Sequence, residues 1–70
     1  MTDKQVLSIK VKMVKVGIKN IDIANYFGVS NQAISLVFKG DKYMKSLTQK
    51  VLELFDKKES ELIAIFKKGN

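Results

Sequence analysis

Seventy residues bound this chain to one small domain with a small core, and an apolar share of 46% is enough to build that core. Cysteine and histidine are both absent, which excludes disulfides, thiolate metal sites, thiol nucleophiles and the commonest general base. Thirteen basic residues, all lysine, stand against seven acids; the formal charge of +6 directs attention to polyanions, nucleic acid ahead of an anionic membrane.

Thr2 or Asp3 can cap a first helix. Apolar residues then recur at Val6, Ile9, Met13 and Val16, and at Leu7, Val11, Val14 and Ile18, both at helical spacing. Lys12, Lys15 and Lys19 share the opposite face, and Lys12 and Lys15 are read as solvated. The stretch Ile9 to Met13 also alternates like a strand, but the longer window favours helix. Gly17 suits the end of that helix.

A second helix is expected from Asn20 or Ile21 to Phe27, with Asp22 in its first turn complementing the helix dipole. Gly28 can take φ > 0 at the turn that follows. Ser30 then caps a third helix, from about Asn31 to Lys39, stopped by Gly40 and Asp41. Ala24 is small enough to let the two helix backbones approach, and Ile34 returns an apolar side chain to it. Ile23, Phe27, Val29 and Val37 complete this part of the core, leaving Asn31, Gln32, Ser35 and Lys39 outward. Amides, hydroxyls and lysine on one helix face suit the base edges and phosphates of a DNA major groove.

The loop that follows carries Lys42 and Lys45, with Tyr43 and Met44 read as anchors into the core. Ser46 and Gln49 have the spacing of a capping box for a fourth helix, whose inner face is Leu47, Val51, Leu54 and Phe55. Asp56 and Glu59 offer another cap, before a segment to about Lys68 that carries Leu62, Ile63, Ile65 and Phe66. No Gly or Pro separates the fourth and fifth segments, so one continuous helix is an alternative. The expectation is an all-α bundle of four to five helices, one domain over residues 1–70. The seven carboxylates form no cluster with metal-ligand spacing, and there is no Gly-rich phosphate loop, so no cofactor and no enzymatic activity are expected. No apolar run approaches the ~20 residues of a membrane span, and Met1 to Lys4 do not open a signal peptide.

Ala24, Gly28, Ile34 and Ser35, followed by Val37-Phe38-Lys39-Gly40, resemble the Cro/repressor-type helix-turn-helix of temperate phages. Gly17-Ile18 before the motif and Ser46 to Leu52 after it are similar to that family too, so the resemblance covers about residues 4–56. It implies a lambda-repressor-like fold with its motif at about 20–39, in the cytoplasm of a bacterial host. It implies a phosphate clamp at Asn20, base reading at Asn31 and Gln32, a thymine-methyl contact at Leu36 and a phosphate contact at Lys39. Ser30, Ser35, Lys42 and Lys45 are further DNA-binding candidates, with Ser30 also read as a structural cap and Ser35 also read as a small residue at a crowded helix contact. Two residues depart from the family pattern: Lys19 replaces a capping Ser or Thr, and Leu36 is bulky for a groove position.

The resemblance implies a regulator that occupies operator DNA in a lysis/lysogeny-like switch. One recognition helix covers too few base pairs to find a single genomic site, so a homodimer on two half-sites is expected, with the segment 57–68 as its association element. A second reading from the same resemblance is a modulator of repression, an anti-repressor that binds the phage repressor and masks its DNA-reading face. Leu36, Ile63 and Phe66 are then the partner-binding residues, because interface cores favour apolar anchors. Leu36 thus has three open readings: groove contact, protein contact or partial burial.

Overall fold

Thr2 starts the first helix. Its hydroxyl accepts from the Gln5 N–H at 3.2 Å, and the Gln5 side-chain carbonyl accepts from the Thr2 N–H at 2.8 Å, so two orphan backbone donors are satisfied reciprocally. The computed structural model describes residues 1–67, and in it α1 covers Asp3–Val16. Gly17 ends it at φ 81°, and the N–H groups of Gly17 and Ile18 both donate to the Met13 carbonyl at 2.8 Å.

α2 covers Asn20–Phe27 and α3 covers Asn31–Lys39. Lys19 has no side-chain acceptor to cap α2; the Asp22 carboxylate takes the Lys19 N–H instead, at 2.9 Å. Gly28 sits at φ 69°, and the Val29 N–H donates to the Ala24 carbonyl at 2.9 Å, which closes α2 and turns the chain. Ser30 caps α3, its hydroxyl accepting from the Ala33 N–H at 3.1 Å. Gly40, at φ 81°, ends α3. A 3₁₀ turn, Lys42–Met44, leads into α4, Lys45–Phe55, and α5 covers Glu59–Phe66. Among the described residues the chain is an all-α bundle of five helices.

α2 and α3 form the tightest pair; α5 packs on α1, and α4 on α3. The core takes Ile9, Met13 and Val16 from α1, Ile18 from the turn, Ile23 and Ala24 from α2, and Ile34 and Val37 from α3. Val51, Leu54 and Phe55 of α4 and Leu62 of α5 complete it. Phe27, Val29, Met44, Leu47, Ile65 and Phe66 pack around its edge. Among the described residues no polar or charged residue is buried, so the core asks for no internal hydrogen-bond network.

Several expectations are corrected. Of the second apolar set on α1, only Ile18 is buried, and it lies beyond the helix end; Leu7, Val11 and Val14 are exposed. At 3.6 residues per turn those three fall roughly opposite Ile9, Met13 and Val16, and α1 has neighbours on one side only. Lys12 is not part of a solvated face: its ammonium donates to the Phe55 carbonyl at 2.7 Å and the Lys57 carbonyl at 3.3 Å, at the C-terminal end of α4. Tyr43 is 82% exposed and anchors nothing; Met44 alone reaches the core.

Neither expected cap in the second half of the chain forms. Ser46 lies inside α4, whose N-cap is Met44, because the 3₁₀ turn feeds straight into the helix and Asp41 caps that turn instead. The Asp41 carboxylate accepts from the Tyr43 N–H at 2.8 Å. α5 starts after Lys58, not after Asp56, which has helical φ and ψ of −75° and −14°. The fourth and fifth segments are two helices, broken at residues 56–58. Lys68, given as the end of the last segment, lies outside the described residues.

Candidate nucleic-acid interface

α3 presents its polar side chains because its apolar ones are used. Ile34 and Val37 are fully buried against α2 and α4, which turns Asn31, Gln32 and Lys39 to solvent. The Ser30 cap takes only the Ala33 N–H, and the Ala33 and Ile34 N–H groups also reach the Ser30 carbonyl at 3.1 and 3.4 Å. The N–H groups of Asn31 and Gln32 remain as open donors at the positive end of the helix dipole. An anion held there would sit beside the two amide side chains. Ser30 keeps its hydroxyl hydrogen free to donate outward.

One turn further on, Ser35 and Leu36 are half-buried. The Ser35 hydroxyl donates back to the Asn31 carbonyl at 3.4 Å, a long bond that an outside acceptor can displace. Leu36 is neither in the core nor free of its neighbours, so partial burial describes it. At the far end, Lys39 is exposed in the last turn.

Beyond α3 the surface becomes a lysine-rimmed hollow. Lys42 and Lys45 line it with Gly40, Asp41, Thr48 and Gln49, and with the apolar side chains of Met1 and Leu52. The Asp41 carboxylate is engaged with the Tyr43 N–H and the Lys42 ammonium lies 5.4 Å from the Tyr43 ring centre. Thr48 and Gln49 had no place in the sequence reading of the site. Their spacing from Lys45, three and four residues, puts all three on one face of α4 and was the available signal. Lys10 was missed as well. Its ammonium lies 5.4 Å from the centre of the Phe38 ring, which brings a lysine of α1 to the last turn of α3; no local pattern announces that contact.

The remaining expected residues fall elsewhere. Asn20 opens α2, half-buried. Phe66 packs its ring on Tyr26 of α2, with ring centres 5.5 Å apart, and helps to close the core. Ile63 is 48% exposed. Leu36 on α3 and the α5 pair therefore belong to different packing environments. Among the described residues no group of acidic side chains could hold a metal ion, and no helix is long and apolar enough to cross a membrane.

No protein-family model matches the chain, and no curated protein and no solved structure matches it either.

Proposed function

We propose that the chain is a DNA-binding transcriptional regulator of the phage Cro/repressor type, with α2 and α3 as its helix-turn-helix. The observation that carries this reading is the outer row of α3. Asn31, Gln32 and Lys39 are exposed, two backbone N–H groups are open at the helix start, and Lys42 and Lys45 follow, exposed, in the next turn and at the start of α4. In this reading α3 enters the major groove with its first turn toward the bases. Asn31 and Gln32 have the donor and acceptor pair that a bidentate contact to adenine requires. Lys39, Lys42 and Lys45 hold phosphates as point charges, and Asn20 holds one from the start of α2. Two copies on adjacent half-sites, about 34 Å apart, supply the length of site that one α3 lacks. The fold then acts by occupancy, as a switch component in a bacterial host's cytoplasm, with no reaction and no cofactor.

The test is selection of duplex DNA from a random pool by the purified chain, followed by titration of selected and scrambled duplexes. Lys39→Ala should weaken both alike and reduce the salt slope by about one. Gln32→Ala should weaken the selected duplex by roughly 1–3 kcal/mol and leave the scrambled one nearly unchanged. Equal losses for Gln32→Ala on both duplexes would remove Gln32 from base reading, and no selection at all would end the DNA reading.

One observation favours a second reading, binding to a phage repressor as an anti-repressor. Leu36 is an apolar side chain, half-buried, in the middle of an otherwise polar row. Titrating the Leu36→Ala variant with the selected duplex and, separately, with a phage repressor tests its role: Leu36→Ala should cost DNA affinity by about 0.8 kcal/mol per methylene removed from a methyl contact. A loss of roughly 2 kcal/mol or more in repressor affinity, with DNA binding intact, marks it as a protein anchor.

A further inference from the structure

We infer that the outer face of α1 is a docking surface for an acidic amphipathic helix of a partner protein. Leu7, Val11 and Val14 stand 66%, 44% and 82% exposed. Their spacing of four and three residues makes one continuous stripe, the i, i+4, i+7 register in which a partner helix finds its anchors. Each is a large apolar side chain on a helix whose opposite side already supplies the core, so the stripe adds nothing to folding. A contiguous exposed apolar strip with a polar border is the usual mark of an interaction site.

Charge selects the partner. At about 100° per residue, Lys10 borders the stripe on one side and Lys4 and Lys15 on the other. Val11, Val14 and the stems of Lys10 and Lys15 line one shallow hollow. Asp3, in the first turn, is the single carboxylate of α1. Glu59 of α5 reaches Lys15 at 3.8 Å, an exposed pair that demonstrates the kind of group this rim accepts and that a partner carboxylate can replace. A second copy of the chain would bring a rim of three lysines, Lys4, Lys10 and Lys15, against the same three. Three side chains also fall well short of the ~800 Å² per partner of a standard interface, so neutral apolar contact alone would not hold two copies together. An acidic helix answers both points, because carboxylates on its flanks add attraction where a second copy adds repulsion. Lys10 borders both this surface and the last turn of α3, but Leu7, Val11, Val14 and Lys15 lie off the outer row of α3, and the inference does not depend on the DNA-binding reading.

The test uses the full chain, labelled for NMR, and two synthetic helical peptides. Both carry leucine at i, i+4 and i+7; one has glutamate on both flanks and the other has glutamine. The glutamate peptide should shift the amides of α1 around Leu7, Val11 and Val14, and bind at least about tenfold more tightly than the glutamine peptide at low salt. Val14→Asp should cost about tenfold or more and leave the thermal melt unchanged, since that side chain stands in solvent. Lys15→Glu should lower affinity in the same direction, which keeps the test informative if Val14→Asp disturbs the helix. Absence of binding, equal affinity for the two peptides, or shifts confined to Lys39, Lys42 and Lys45 would overturn the proposal. So would a dimer in sedimentation that Val14→Asp splits, which gives the face to a second copy. Shifts of the same α1 amides by phosphatidylglycerol vesicles, with none from the glutamate peptide, would give it to a membrane surface instead.

Discussion

The two halves of this small bundle start and stop their helices by different means. From Thr2 to Gly40, each boundary is written into adjacent residues. Thr2 with Gln5, Asp22 with Lys19 and Ser30 with Ala33 satisfy the helix starts, and a glycine at positive φ ends each helix. From Lys45 onward, the N-caps are Met44 and Lys58, without side-chain hydrogen bonds, and the C-caps are Asp56 and Lys67. The second half is held by distant residues instead. Lys12 of α1 donates to carbonyls at the end of α4, and the Lys67 ammonium donates back to the Gly17 carbonyl at 2.9 Å. The comparison teaches that α4 and α5 depend on the first half being folded, whereas α1 to α3 carry their own punctuation.

The largest test of that dependence is Leu62→Ala. Leu62 is fully buried on α5, and α5 packs on α1. The truncation should cost about 2–5 kcal/mol, the range for emptying a core leucine site. If the halves are coupled, urea unfolding should stay a single transition with a lower midpoint and the same slope. A second transition in which α4 and α5 persist after α1 to α3 have melted would break the comparison, by showing that the second half does not need the first.

Gly28 comes next in size and probes the local side. A Cβ there would meet nothing within 4 Å, so a substitution at φ 69° is opposed by the backbone alone. Gly28→Val should cost on the order of 1–3 kcal/mol, because a β-branched residue is an outlier in that region. Gly28→Asn should recover most of the loss, since asparagine tolerates the left-handed conformation. Chemical denaturation of the two variants checks the pair; equal losses would mean that space rather than backbone conformation decides the site.

What could be read from the sequence follows the same division. The ends of α2 and α3 and the Ser30 cap depend on residues within four positions of one another, and those patterns are visible in a string of letters. The Ser46 and Asp56 caps failed because a 3₁₀ turn and a helix break moved the starts by a residue or two, and spacing carries no signal for that. On α1 both apolar sets had helical period. Only the position of α5 and the core decides that Ile9, Met13 and Val16 turn inward while Leu7, Val11 and Val14 do not. In the candidate interface, Asn31, Gln32 and Lys39 were legible as the polar remainder of an amphipathic helix. Lys10 was not, because its proximity to α3 is made by tertiary packing, whereas Thr48 and Gln49 were within reach of the local spacing from Lys45.

The smallest expected effect separates a lysine that serves the fold from one that does not. Lys12 and Lys15 are three residues apart on α1 and identical in chemistry. The Lys12 ammonium is partly buried against the Phe55 and Lys57 carbonyls, and a charged donor at a helix C-terminus satisfies acceptors that the missing cap leaves open. Lys15 has only an exposed ion pair with Glu59 at 3.8 Å. Methionine keeps most of the apolar stem and deletes the charge in both places. Lys12→Met should therefore cost about 1 kcal/mol, a charge-assisted bond discounted for its contact with solvent. Lys15→Met should fall between zero and about 0.5 kcal/mol, and high salt should remove even that. Urea titrations of both variants at low and high salt provide the check. A Lys12→Met loss as small as that of Lys15→Met would show that α4 ends without help from α1. The second half would then be held by apolar packing alone, through Val51, Leu54, Phe55 and Leu62.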